Sequence, residues 1–568
     1  MDIIDILLAS ASTPEGQAGI AAAEAKTAAA EAKTAAQNAA TAAQDATEIV
    51  QQVITTIGEI NNSESSDENK IAYTFQTPDN TIIIKHYKSA GENEDGTMTQ
   101  KAIKAYIDSI PSGGGNLGPE NAGSVVSVGE DGQITPSPLS EESVIRTEIL
   151  VGTYTLTDAV GLEIDYKNKT FTRVQSSKGL TPGEDFNKYS MYGNIRRCLV
   201  DDNGEIIAFY GDPTYVDNYA SGYQTMVYIP KFYYIRIPYE VENNAIIKET
   251  IIISGHNQEG YLKLHPAFIN ENGDEIDYFL YSAYEGSTFD VSANAYNRND
   301  GEIDFTEDKL ASIVEAKPIS GVNNELTREN AEQLAQNRGE GWHITSIQAV
   351  SAIQMLSLIE YGTFNLRSVI ERGISDIENV VRINCSSYTG STKDLGNESG
   401  HANSTINERN GIEYTYNENG KRAISYRGIE NLYGNIWNYI GNLEIRGDGD
   451  TQGGVPYIYN FITKQYESAG FMLPNTSNWI SRFGYKNEKY DWLFIPSASD
   501  NSATSALPVG CYLWVSKDLN GVRNATLGGH WNFADCNGAF YYGFDRTLQY
   551  SDRGYGVRMM YLPRSKEE

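Results

Sequence analysis

The sequence predicts a multidomain protein: an N-terminal α-helical coiled coil, small β-rich units after it, and one large β-rich region filling the remainder. Three observations carry that class. A strict heptad, AAAEAKT, occupies 21–27 and recurs at 28–34. Short alternating apolar runs, broken by Ser- and Gly-rich segments, follow it. Beyond about 148, aromatic and β-branched runs surround one long helical pattern. A chain of 568 residues is in any case too long for one ordinary domain.

Residues 1–20 open with MDIIDILL, a short apolar peptide suited to docking in a groove on another protein. In 21–62 the a and d positions are Ala21, Ala25, Ala28, Ala32, Ala35, Ala39, Ala42 and Ala46, then Ile49, Val53 and Ile60. This 4-3 spacing puts them on one helical stripe. Alanine knobs are small, so partner helices must approach closely. The Ile and Val residues supply most of the burial, about 2 kcal/mol each. Such a seam does not fix the number of strands. SESSDEN, 63–69, breaks the helix and opens a small α+β unit, 63–115. There IAYTFQTPDNTIIIKHY alternates like strands around a turn at 77–80. GTMTQKAIKAYIDSI reads as a short amphipathic helix with Ile103, Tyr106, Ile107 and Ile110 on one side, and PSGGGN is a hinge. Residues 116–147 form a linker with one short β-pair turning at Asp131 and Gly132.

The large region is 148–568. Its MVYIPKFYYIRI run, 226–237, is apolar and β-branched or aromatic, a buried strand. A helical pattern covers 327–362, with Thr327 as N-cap, Glu329 in the first turn and a break at 339–342. Its second helix carries Ala349, Ile353, Leu356 and Glu360 on one stripe, beside Met355, Leu358 and Ile359. Across the chain 38 tyrosines supply rigid contact area with polar tips, and 52 glycines permit tight turns. Together they point to loop-rich β structure with adhesive surfaces.

Charge and hydropathy exclude several classes. With 44 Lys and Arg against 75 Asp and Glu the net charge is −31, so the positive footprint of a nucleic-acid binder is missing. No window approaches 18 continuous apolar residues, so no membrane insertion is expected. MDIIDILLASAST lacks the basic start and long apolar core of a signal peptide, which suits folding in a cytoplasm.

Several stretches resemble known families. GTMTQKAI, 96–103, resembles a short helical element in the stalks of phage tail fibres and baseplate receptor-binding proteins. NAGSVVSVGEDGQIT resembles the linker that follows it in fibres of gut-bacterial phages. In the large region, MVYIPKFYYI, YRGIENLYGNIWNYIGN and the pair GGHW with GYGVR resemble the C-type-lectin-like fold of formylglycine-generating-enzyme type. That family has a GNVWEW-like core strand and an RGGSW strand near a final GFR strand. The resemblance gives the first role to Gly434, Asn435, Trp437 and Tyr439. It gives the second to Gly528, Gly529 and Trp531, and the third to Gly556, Val557 and Arg558. These positions are read as fold frame. The implied class is therefore a coiled coil, β-rich stalk units and a large α+β C-type-lectin-like domain.

Catalysis is not expected. Formylglycine-generating enzymes hold copper with a close cysteine pair, whereas Cys511 and Cys536 are widely spaced here. With Cys198 and Cys385 they are too few for a disulfide scaffold, and no CxxC spacing suggests zinc. His265, His343, His401 and His530 are scattered, with no HExxH, and His343 reads as a core or capping histidine at a helix start. Residues 397–400 are a turn rather than a nucleophile elbow. Asp448 and Asp450 in RGDGDTQGG could hold Ca²⁺ through oxygen ligands; such a run is otherwise a solvated loop, and no other cofactor is expected.

In related phage and bacterial proteins diversified by retroelements, variable residues lie between GGxW and GFR and face outward on a rigid frame. By position, the resemblance implies ligand-binding roles for Asn532, Phe533, Asp535, Asn537, Tyr541, Tyr542, Asp545, Thr547, Gln549, Tyr550, Asp552 and Arg553. Tyrosine gives large contact area at low entropic cost, and Asn, Asp and Ser add adaptable hydrogen bonds. The expected protein is a homotrimeric phage virion fibre, of head or tail, assembled in the host cytoplasm. Its N-terminal residues hold another virion protein, and its distal domain binds a host cell-surface glycan or protein. A bacterial adhesin is the rival reading, and an enzyme on the same fold a disfavoured third.

Overall fold

The computed structural model describes residues 156–564, apart from 450–452 and 518, together with five short strands between 70 and 138. The chain divides into two compact units, Met1–Leu139 and Ser140–Glu568. In the first, Lys70–Gln76 pairs antiparallel with Thr81–Tyr87, as its alternation implies; the expected turn at 77–80 lies outside the described residues. Ser124–Val128 pairs likewise with Ile134–Pro138, and the expected turn at Asp131 and Gly132 lies outside the described residues. Thr97–Met98 departs from expectation. Instead of opening a helix it is extended and runs parallel to His86 and Tyr87, whose ladder takes its backbone groups. The rest of that helix, the anchor peptide 1–20 and the coiled coil 21–62 lie outside the described residues.

The second unit corrects the expected fold class: it is mainly β. Among the described residues the α-helices are three: α1 (Ser190–Gly193), α2 (Arg328–Gln336) and α3 (Ile347–Tyr361). Around them stand sheets of six, five and seven strands and several smaller ones. The Tyr-, Ile- and Val-rich runs fit pleated, half-buried surfaces better than helix faces, so strands outnumber the helices that an α+β class requires.

The six-stranded sheet runs, in order, Trp342–Ile344, Met559–Tyr561, Tyr278–Ser282, Gln224–Pro230, Arg196–Val200 and Ile206–Phe209. The five-stranded sheet runs Lys263–Leu264, Tyr233–Glu242, Ala245–Ser254, Ala159–Asp165 and Thr170–Gln175. The MVYIPKFYYIRI run is thus two strands in two sheets. Pro230 has no N–H with which to continue a ladder, and the chain crosses over just after it.

Thr327 does cap α2, its Oγ1 accepting from Asn330 N at 3.2 Å. Ser346 caps α3 through Ala349 N at 3.3 Å, and Gly362 ends it in the left-handed region, at φ +66°. The expected single stripe on α3 is corrected, because the helix is buried all round from Ile347 to Glu360. A helix in that position must satisfy its polar side chains internally. Gln354 Nε2 donates to Ala539 O at 2.7 Å and to the Tyr542 hydroxyl at 2.9 Å. Glu360 receives Arg427 through two 2.7 Å bonds, the Tyr426 hydroxyl at 3.0 Å and Gly183 N at 2.9 Å. Burial works against the Arg427 charge, but the Glu360 carboxylate overcomes it and raises the arginine's pKa.

His343 lies in a strand, not at a helix start, because Trp342–Ile344 pairs with Met559–Tyr561. Its Nδ1 is 2.8 Å from Glu332 Oε1 and its Nε2 3.1 Å from Glu271 Oε1. Burial opposes the charged ring, but the two carboxylates outweigh it and lift His343 to about 10. The folded state therefore favours the imidazolium. The resulting stability is complete below pH 6.5 and fades as pH rises toward 10. His343→Gln is expected to unfold at lower urea than wild type at pH 6 and to converge with it near pH 10. A gap that does not change with pH would exclude this charge effect.

Candidate functional site

The seven-stranded sheet places the motifs. Its order is Pro496–Ser499, Asn478–Phe483, Tyr512–Val515, Gly538–Phe544, Thr526–Gly528, Trp437–Tyr439 and Tyr555–Gly556. The GNIW, GGHW and GYGVR stretches are neighbours there, with Asn438 opposite Leu527 and Trp437 opposite Tyr555. Gly434, Asn435, Trp437, Gly528, Gly529, Trp531, Gly556 and Arg558 are all buried. Two of the glycines are required by geometry. Gly434 sits at φ +84° and a Cβ there would lie 2.6 Å from Ile374 O; Gly529 sits at φ +85° and its Cβ would lie 1.8 Å from Asn537 Oδ1. Asn435 is tied by its own amide, which donates to Glu285 Oε2 at 2.6 Å and accepts from Ser387 N at 2.7 Å. Arg558 donates to the carbonyls of Glu430 and Asn431.

One face of this sheet carries a strip of rings that crosses its strands. The register puts Trp479 opposite Tyr512, and Trp514 beside Gly543, two residues on from Tyr541. Successive ring centroids are 5.3 Å apart for Trp479 and Tyr512, and 6.4 Å for Tyr512 and Tyr541. The strip continues through Tyr541 and Trp437 at 4.5 Å, then Trp437 and Tyr555 at 6.2 Å. Gly543 leaves room for it: a Cβ there would approach Thr526 Oγ1 at 2.6 Å and the Trp437 ring. The loop 530–537 covers the middle, with Phe533 edge-on to both Trp437 and Tyr541. At the far end Arg546 lies over Tyr550, 4.6 Å from its ring centre.

The twelve expected binding residues fall into three groups. Asn532, Asp535, Thr547 and Gln549 are exposed. Phe533, Asp545, Tyr550, Asp552 and Arg553 are half-buried. Asn537, Tyr541 and Tyr542 are buried, which corrects their expected display. The cause is the strand GAFYYGF, 538–544, which is buried at every residue. A continuous apolar run is the pattern of a strand covered on both faces. Tyr542 turns to Gln354 of α3, and Tyr541 turns to Trp437. Asn537 is spent inside the loop, donating to His530 O at 2.8 Å.

A second loop, 375–383, straps part of the half-buried group. Arg553 donates to the carbonyls of Val380 and Ile383 and to Asn379 Oδ1, the last at 2.8 Å. Asn532 Nδ2 donates to Ile377 O at 3.1 Å. Asp535 lies 3.3 Å from both Arg367 Nη1 and Arg372 Nε. The tips that remain free for contact are Thr547 and Gln549, on a loop fixed from below by Asn524 Nδ2 to Thr547 O at 2.8 Å.

The reactive side chains do not converge. Burial lowers His265 to about 3, and burial with the nearby Arg553 lowers His530 to about 3, so both rings stay neutral. The four cysteines are free thiols, Cys511 buried and Cys536 half-buried. Among the described residues no three His, Cys, Asp or Glu side chains are grouped to hold a metal ion. Asp448 ends the strand Leu443–Asp448, and Asp450 lies outside the described residues.

Trp479, Tyr512 and Trp514 were not singled out by sequence. Trp514 is 37% exposed, and the other two are half-buried. The signal was the alternation in Tyr512-Leu513-Trp514-Val515, where Leu513 and Val515 are buried and the aromatics face out.

No family model matches the chain, and no curated protein matches it. Among solved structures it bears a weak likeness to a chain titled Major Tropism Determinant U1 Variant. That likeness has 12% identity and a TM-score of 0.23, over 69% of this chain and 77% of the other. A likeness at that level carries no argument about fold or function.

Proposed function

We propose that the protein is a non-enzymatic structural subunit of a phage virion fibre, and that its second unit binds a ligand on the bacterial surface during adsorption. The observation that supports this most is the division of the C-terminal stretch. A frame closed by Gly434, Gly529 and Trp437 holds the exposed side chains Asn532, Asp535, Thr547 and Gln549, of which Thr547 and Gln549 are free for contact. Rigid scaffolds with exposed, adaptable loop residues are built for recognition. The resemblance of NAGSVVSVGEDGQIT to a fibre stalk linker supports the virion setting, while 96–103, likened to a helical stalk element, includes an extended Thr97–Met98. In this reading residues 1–20 hold another virion protein, and the three copies of a trimeric fibre gather weak sites into avid attachment. No cofactor is needed for binding of this kind.

The test is an array of purified bacterial surface polysaccharides and outer-membrane proteins, probed with the full chain alongside whole bacteria. Saturable binding to a surface component is expected, with no turnover of it. Absence of binding to every component and every strain removes the reading. Light scattering of the same sample is expected to give three copies, and a monomer would remove the trimer.

A further inference from the structure

We infer that Trp479, Tyr512 and Trp514 form the principal ligand contact of the second unit, and that the ligand is a neutral sugar chain. The inference rests on the surface-binding reading and assigns its site to residues outside the GGHW-to-GYGVR stretch. Three observations carry it.

The rings reach solvent: Trp514 is 37% exposed, and Trp479 and Tyr512 are half-buried. Trp514 packs on Tyr512 with ring centroids 5.1 Å apart, while Trp437 and Tyr541 of the same strip are fully buried. Among the described residues no cation stands over Trp479, Tyr512 or Trp514, whereas Arg546 covers Tyr550 and Arg553 lies over Trp531.

The rings are also held in place before any ligand arrives. Trp514 Nε1 donates to the Tyr541 hydroxyl, and the Tyr512 hydroxyl donates to Ser477 O at 3.1 Å. Fixed aromatic side chains lose little entropy on binding, which is why they anchor recognition sites.

Shape and charge then select the ligand. Tyr512 stands at 88° to Trp479 and 56° to Trp514, so the surface is stepped. Stepped rings grip the C–H faces of successive pyranoses, while a flat membrane surface cannot seat on them. The Tyr512 hydroxyl, which donates to Ser477 O, keeps lone pairs that can accept from a sugar hydroxyl. A chain of net charge −31 repels acidic polysaccharides, which leaves neutral ones.

The experiment compares the full wild-type chain with Trp514→Ala and Trp479→Ala on the polysaccharide array, with melting curves as a check on folding. Wild type is expected to bind neutral polysaccharides, and each variant to lose about tenfold or more in affinity, as at aromatic hot spots. Trp479→Ala supplies the second reading should Trp514→Ala fail to fold. Wild-type binding that survives both substitutions overturns this site while leaving the adsorption role intact. Binding confined to charged glycans or to proteins overturns the sugar assignment alone. Binding to nothing overturns the adsorption role, and this inference with it.

Discussion

Glu360→Ala is expected to cost about 3–5 kcal/mol of stability, because it strands a buried charge. The Glu360 side chain is 0% exposed and that of Arg427 only 6%. Without the carboxylate, Arg427 keeps Asn187 Oδ1 at 2.8 Å and two backbone carbonyls, none of which carries a countercharge. Tyr426 and Gly183 lose their acceptor in the same step. A surface ion pair would be worth about 1 kcal/mol or less, so the size of the loss distinguishes the two situations. Urea unfolding followed by tryptophan fluorescence measures it. The double variant Glu360→Leu with Arg427→Met removes both charges and should recover much of the loss, since an apolar pair can replace a buried ion pair. A single-variant loss under about 1 kcal/mol would mean that water reaches the pair.

Trp437→Ala should be comparably damaging, at about 3–5 kcal/mol. Trp437 is 1% exposed and is the ring that links Tyr541, Phe533 and Tyr555. Its removal opens a cavity beside Gly543, which has no side chain to collapse into it. Trp437→Phe should cost clearly less, because it keeps an aromatic ring in the stack. The effect extends outward, since Tyr541 would lose the ring that fixes it and Trp514 bonds to Tyr541. Thermal unfolding together with near-ultraviolet circular dichroism reads both consequences. If Trp437→Ala melted like wild type, the strip could not be the packed element described.

Part of this was legible in the sequence, and the failures have physical causes. Alternation is local, so the strand pairs Lys70–Gln76 with Thr81–Tyr87 and Ser124–Val128 with Ile134–Pro138 could be read directly. The Thr327 cap is equally local. The motif glycines and tryptophans are buried, and at Gly529, at φ +85°, a Cβ would collide with the Asn537 side chain. Burial on two faces was not legible. GAFYYGF looks like displayed aromatic surface until α3 is known to cover its back. The stripe on α3 failed for the same reason, because a helix surrounded by protein has no polar face to reveal it. The partition of MVYIPKFYYIRI between two sheets depended on one proline whose role only the register discloses. The aromatic surface at Trp479 and Trp514 needed two strands brought together by long-range pairing.

The placement of Met559–Tyr561 inside the six-stranded sheet bears on synthesis. Tyr561 pairs with Leu280, so the earlier strand must wait for the later one while the ribosome completes everything between them. At about 5–20 residues per second that wait is roughly 15–60 s. Throughout it, Tyr278–Ser282 has one open edge rich in aromatic residues, ready to pair with any extended chain nearby. The nascent polypeptide is therefore open to misassembly at this edge from the middle of translation until Met559–Tyr561 is made, and shelter by chaperones matters over that whole interval.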